Sequence, residues 1–109
     1  MADQIAEATP AVVVLPVEID VTNSELAFGL LAAALAPGVP MVIADLTATS
    51  FCDTSGVRAL VQAHEEAVAR GAQLRLAVPR GGSVRRVLEL TGLVRVLNVY
   101  PGLDEAIAG

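Results

Sequence analysis

Val42-Ile43-Ala44-Asp45-Leu46-Thr47, followed by Phe51-Cys52-Asp53-Thr54-Ser55-Gly56-Val57-Arg58-Ala59-Leu60, is the stretch on which the fold turns. Its first part belongs to an apolar run from Val39 to Leu46, the mark of a buried strand. Thr47 to Asp53 reads as a polar loop with Phe51 and Cys52 inside it. Asp53 is a good helix N-cap, with Thr54, Ser55 and Gly56 as the first helical residues. Val57, Leu60, Val61, His64 and Val68 recur on one helical face, and that helix ends before Gly71. Glu66 and Arg70, four apart on its outer face, are placed to pair.

The same alternation extends outward in both directions. Upstream, Ala11 to Leu15 is a short β-branched run, read as a strand buried on both faces. Pro16 interrupts it, as a bend or an edge does, and Val17-Glu18-Ile19-Asp20 alternates beyond it. Thr22 with Glu25 three residues later is a capping-box pattern. It opens a Leu/Ala-rich helix that ends at Pro37-Gly38. Leu26, Leu30, Ala33 and Ala34 form one stripe of that helix, while Phe28, Leu31 and Leu35 lie off it. A helix apolar on more than one face is deeply packed or touches a partner.

Downstream, Gln73 to Val78 reads as a third long strand and Pro79-Arg80-Gly81-Gly82 as a turn. Ser83 is placed to cap a helix whose core face is Val84, Val87, Leu88 and Thr91. Gly92 with Leu93 looks like a C′ glycine and its hydrophobic contact. Arg95 to Val99 suits a last short strand, and Leu103 to Ala108 a terminal helix. The expected fold is α/β: a sheet of about four to five strands, mostly parallel, flanked by about four helices. Residues 1–10 read as a flexible lead-in and 11–109 as one domain, which suits a chain of 109 residues.

Composition narrows the function. The hydrophobic fraction is 54% and the aromatic fraction 3%, so bases would find few stacking platforms. A formal net charge of -5 repels nucleic acid and anionic membranes. One cysteine and one histidine make neither an internal disulfide nor a structural zinc site. The polar, acidic start lacks the pattern of a signal peptide. The longest apolar run, Leu26 to Pro37, is far short of the roughly 20 residues of a membrane span. These features lead to an expectation of a cytoplasmic protein without a cofactor.

Chemistry concentrates where the buried strand ends and the helix from Thr54 begins. Ligands in open α/β sheets gather at such strand ends. The first helical N–H groups lack internal partners, and the helix dipole adds about +0.5 charge there. A phosphate on that turn would add about -1.5 to -2 charges, which the helix end favours and Asp53 and Asp20 oppose. The local pattern equally suits capping with no further role.

These segments resemble the STAS domains, the anti-sigma factor antagonists and the domains attached to sulphate transporters. The resemblance rests on Asp45-Leu46-Thr47 closing the strand and on Asp53-Thr54-Ser55-Gly56 opening the helix. Glu18-Ile19-Asp20, Val87 to Leu93 and Leu103-Asp104-Glu105-Ala106 extend it over roughly residues 11 to 108. It implies that Thr54 is the phosphoacceptor, with Ser55 the lesser candidate. It implies a partner-facing switch formed by Asp20, Asp53, Thr54, Ser55, Gly56 and Arg58. The implied partners are an anti-sigma factor that is also a serine/threonine kinase of the GHKL type, and a phosphatase that resets the mark. Two residues depart from the family pattern. The acceptor is Thr where Ser is commoner, and Val17 stands where Gly is usual. The resemblance also admits a docking subunit of a lipid or anion transporter that is never phosphorylated. A homodimer through the Leu/Ala-rich helix stays open.

The remaining residues carry less. His64 has no second base, nucleophile or metal ligand in register, and no nucleophile–base pair suggests an enzyme. Cys52 reads as a small buried side chain, although a helix N-terminus is able to activate a thiol. Arg80, Arg85 and Arg86 read as the solvated start of the third helix or as a contact for an acidic partner. Gly81-Gly82 lacks the phosphate-cradling patterns.

Overall fold

The chain leaves its first strand at Pro16, a residue with no N–H to give to a ladder. β1 (Ala11–Val14) precedes that point, and β2 (Glu18–Ile19) follows it in a different sheet. The computed structural model describes residues 10–109, so the expected lead-in lies, save for Pro10, outside the described residues. Beyond β2 come α1 (Ser24–Ala34), β3 (Met41–Asp45), β4 (Phe51–Cys52) and α2 (Thr54–Ala69). β5 (Gln73–Ala77), α3 (Ser83–Leu90), a 3-10 turn at Leu93–Arg95, β6 (Asn98–Tyr100) and α4 (Leu103–Ala108) complete the order.

Four strands form one sheet in the order β1-β3-β5-β6, with every pairing parallel. β2 and β4 pair in parallel as a separate two-stranded ribbon. Among the described residues the fold is the expected α/β arrangement, with four helices around a four-stranded parallel sheet. Val42, Ala44, Leu74 and Leu76 project from one face of the sheet into the main core. They meet Ala27, Leu31 and Leu35 around α1, Leu60, Ala63 and Ala67 of α2, and Val84 and Leu88 of α3. On the other face Ile43 and Ala77 pack under Ala106 of α4. Arg75 fixes that helix by donating to the Ala106 carbonyl at 2.8 Å, its guanidinium 5.3 Å from the Tyr100 ring centroid.

Several expectations change on tertiary packing. β1 is buried on one face only: it is an edge strand with α4 over its neighbours, and Val14 is 66% exposed. The Thr22–Glu25 capping box does not form. Thr22 instead donates its hydroxyl and amide to Asp20. Asn23 is the N-cap of α1, but its side chain turns back to Asp20 N and Glu18 O. The stripe of α1 is rotated from the one suggested by spacing: Ala27, Leu31 and Leu35 are buried, while Leu26 and Leu30 face outward. Val68 is exposed although Ala67 beside it is fully buried, because the core face of α2 runs through Val57, Leu60, Ala63 and Ala67, and Thr91 is exposed at the C-cap of α3. The expected polar loop contains β4, since Phe51 and Cys52 find strand partners in β2.

Arg85 is not solvated. It is 8% exposed and donates to Val78 O at 2.8 Å, while Arg80 and Arg86 on either side stay exposed. Ser83 is the first residue of α3, after an N-cap at Gly82, and its hydroxyl donates to Ser50 O rather than capping its helix. Gly92, at φ 78°, takes the left-handed conformation that a C′ position favours, and Leu93 packs on the core. Glu66 and Arg70 pair at 2.8 Å, and Arg70 also reaches the Leu35 carbonyl at the end of α1. Among the described residues no helix is long and apolar enough to cross a membrane.

Candidate functional site

The site starts from two aspartates that end strands. Asp45 closes β3 by accepting from Thr47 N at 3.0 Å and from the Thr47 hydroxyl at 2.6 Å. Asp20 closes β2 in the same way with Thr22. Such Asx turns satisfy backbone groups at a strand end and turn the chain. The Thr22 hydroxyl, then the Thr22 amide, hold the Asp20 carboxyl below the usual carboxylate range. Asp20 therefore carries its charge at neutral pH and below.

The loop after Thr47 is tied down from several directions. Thr49 is buried and donates to Pro16 O at 2.8 Å, and Ser50 N donates to Val17 O at 2.8 Å. Ser83 holds the same loop from α3 through Ser50 O. Sequence spacing alone missed these ties, because each joins residues more than thirty positions apart. β4 then lies beside β2, with Glu18 opposite Phe51 and Ile19 opposite Cys52. Asp53 N donates to Ile19 O at 3.1 Å as part of the Ile19–Cys52 pairing, so Asp20 and Asp53, each following directly on that pair, lie at the same end of the ribbon. Alternation along the two strands puts Glu18 and Phe51 on the outer face of the ribbon, with Ile19 and Cys52 on its buried face.

α2 opens directly from this ribbon. Asp53 is its N-cap, with extended backbone, and its carboxylate accepts from Gly56 N at 3.1 Å. Gly56 is buried against the ribbon. A Cβ there would stand 2.5 Å from Cys52 Sγ and 2.8 Å from Ile19 Cγ2, so only glycine lets the helix start so close. Burial, with the Asp53 charge added, pushes the Cys52 thiol up from an ordinary 9.0 to about 11. Cys52 is thus a neutral packing group in this setting and not an activated thiol.

Thr54, the first residue of α2, is exposed. Among the described residues nothing holds its hydroxyl. Ser55 and Arg58 face the other way and line a cleft of about 520 Å³ between α1 and α2, together with Ser24 and Phe28. The structure therefore brings together Asp20, Asp53, Thr54 and Gly56 of the expected switch, and sets Ser55 and Arg58 on the adjoining side of the helix. A second groove of about 340 Å³ runs between the ribbon, α2 and α3. Phe51, Val57, Val87 and Thr91 line it with Thr54 at its side. Val87 and Thr91 were legible only as core positions of α3. Their four-residue spacing is the signal that sets both on one helix face. His64 is half-buried on α2, and among the described residues no group of acids, His and Cys is placed to hold a metal ion.

The model of the family described as "STAS domain" matches residues 3–106. The chain belongs to the STAS domain family. A search of curated proteins finds no match. Among solved structures, this STAS domain is similar to an anti-sigma factor antagonist from Mycobacterium paratuberculosis. The two share 28% identity and a TM-score of 0.73, over 89% of this chain and 81% of that one. A putative anti-sigma factor antagonist from Thermotoga maritima matches at 23% identity and a TM-score of 0.74, over 89% and 85% of the two chains. A sulfate transporter family protein from Wolinella succinogenes shares the fold at 20% identity and a TM-score of 0.75, over 92% and 83%.

Proposed function

We propose that this STAS domain is a cytoplasmic anti-sigma factor antagonist that binds a kinase-like anti-sigma factor when unphosphorylated and is released by phosphorylation of Thr54. The observation that carries the reading is the setting of the Thr54 hydroxyl. It is exposed, free of partners among the described residues, and stands at the N-terminus of α2 beside Asp53 and Asp20. The 28% identical antagonist supports the same class of role.

In the reaction, the Thr54 oxygen attacks the γ-phosphorus of ATP, its proton leaves to a base on the kinase, and ADP departs. The new phosphate gains the unpaired N–H groups and the positive end of α2. It also stands near two carboxylates and beside an apolar groove, the two settings in which an added phosphate disrupts an interface. The fold would thus tolerate the mark while the complex would not. Thr54 is β-branched, so its χ1 is stiffer than that of a serine and fewer approaches to the kinase are open.

The test is incubation of the full chain with the cognate anti-sigma kinase and ATP, followed by mass spectrometry. Label on wild type that disappears in Thr54→Ala supports the assignment. An unlabelled wild type, or label that stays in Thr54→Ala, removes it. A chain that binds its partner equally as wild type and as Thr54→Asp would be a constitutive docking module of the transporter-associated kind.

A further inference from the structure

We propose that the groove between the ribbon, α2 and α3 receives an apolar side chain of the partner protein, carried on a segment whose flanking side chains are basic. This rests on the reading of the Thr54 end as the partner-facing end and names the chemistry of what docks there. Two independent features carry it.

The first is shape and polarity. The groove of about 340 Å³ is walled by Phe51, Val57 and Val87, with Cys52, Asp53, Thr54 and Thr91 completing its lining. Phe51 is 48% exposed although it is a large aromatic in a chain with only two phenylalanines. A Leu- or Met-sized side chain enters such a space with room for its neighbours, and an aromatic at its edge is the type of residue on which interface energy concentrates.

The second is charge. Glu18 stands opposite Phe51 in the ribbon, Asp20 follows at the end of the same strand, and Asp53 lines the groove itself. No basic residue precedes Arg58 in the sequence, and the carboxylates of the ribbon and its end are Glu18, Asp20 and Asp53. Arg58 lines the other cleft, between α1 and α2, together with Glu25. A partner segment with acidic flanks is repelled here. One with arginine or lysine flanks is attracted and steered, and its apolar centre seats between Phe51 and Val87. Phosphate on Thr54 sets a solvated dianion against the apolar seat, so the docking is lost when the mark is added.

The experiment uses the full chain with labelled methyl groups and two synthetic helical peptides of equal length. Each peptide has a central leucine, flanked by arginines in one and by glutamates in the other. Saturable shifts of the Val57 and Val87 methyls with the arginine peptide, weakening as salt is raised, support the proposal. Phe51→Ala should weaken that peptide about tenfold, as truncation of an interface anchor does. Thr54→Glu should weaken it by about the same factor or more. Phe51 is half-exposed, so its removal spares the core. Val87→Asp serves as a second variant, with Ile43 shifts reporting that the fold is intact. Equal binding of both peptides, no saturable shift, or shifts confined to the α1–α2 cleft would overturn the proposal. Docking that persists in a chain no kinase labels would refute the phosphoswitch alone. Label without docking would refute this proposal alone.

Discussion

Gly56 shows how one missing methyl group positions the switch. The buried backbone of α2 touches Cys52 and Ile19 so closely that a Cβ at Gly56 would stand 2.5 Å from a sulfur. Overpacking of this kind costs about 1–3 kcal/mol. Gly56→Ala is therefore expected to lower the melting temperature by several degrees, since about 1 kcal/mol moves a domain near this size by roughly 4–8 °C. Thermal unfolding by circular dichroism checks it, and an unchanged midpoint would mean that the contact relaxes freely. At Asp53, Asp53→Ala should cost about 1 kcal/mol through loss of the bond to Gly56 N, whereas Asp53→Asn keeps the cap and most of the stability. Chemical denaturation of the two variants separates capping from charge.

Two side chains of this site titrate in opposite senses. Asp20 is held down by Thr22, so its contribution is present above the ordinary carboxylate pKa and is lost as pH falls through its lowered value. In an NMR titration Thr22→Ala should move the Asp20 midpoint upward. Cys52 is raised to about 11, so the stability it confers is full below an ordinary 9.0 and declines as pH rises toward 11. A thiol reagent at pH 8 should label Cys52 only as the chain unfolds, and prompt labelling of the folded chain would contradict its burial.

At the scale of elements, two adjacent arginines on α3 illustrate what periodicity leaves open. Arg85 is buried on the Val78 carbonyl, and Arg86 is exposed. Arg85→Ala removes a buried hydrogen bond and leaves a void, for an expected cost of about 2–3 kcal/mol. Arg86→Ala is expected to stay within about 0.5 kcal/mol of wild type. Urea denaturation of both variants measures the contrast, and equal effects would contradict the packing. α1 makes the same point through its rotation. Its apolar residues suit two stripes, and only contact with α2 and the sheet selects Ala27, Leu31 and Leu35 for burial. Pro16 and Asp45 were by contrast legible as punctuation, because proline and strand-ending aspartate act through local geometry. The two-residue strand β4 was not legible. A pairing that short is specified by its partner β2, more than thirty residues away.

Over the whole molecule, the sheet order decides which residues meet. Parallel β3 and β5 send both following loops to one end, and the ribbon closes over that end ahead of α2. The four-residue element from Asp53 to Gly56 lies within reach of Asp20 only because Pro16 diverts the chain from the main sheet into the ribbon. The sequence by itself determined the alternation of strands and helices, the N-cap at Asp53 and the left-handed glycine at Gly92. These depend on side-chain period and local backbone preference, which act within a few residues. Only the tertiary structure decided that Asp20 stands beside Asp53, that Val87 and Thr91 wall a groove at Thr54, and that Arg58 faces away from it. Those juxtapositions come from strand pairing and core packing between distant segments, where the removal of apolar surface from water, and not local preference, selects the register.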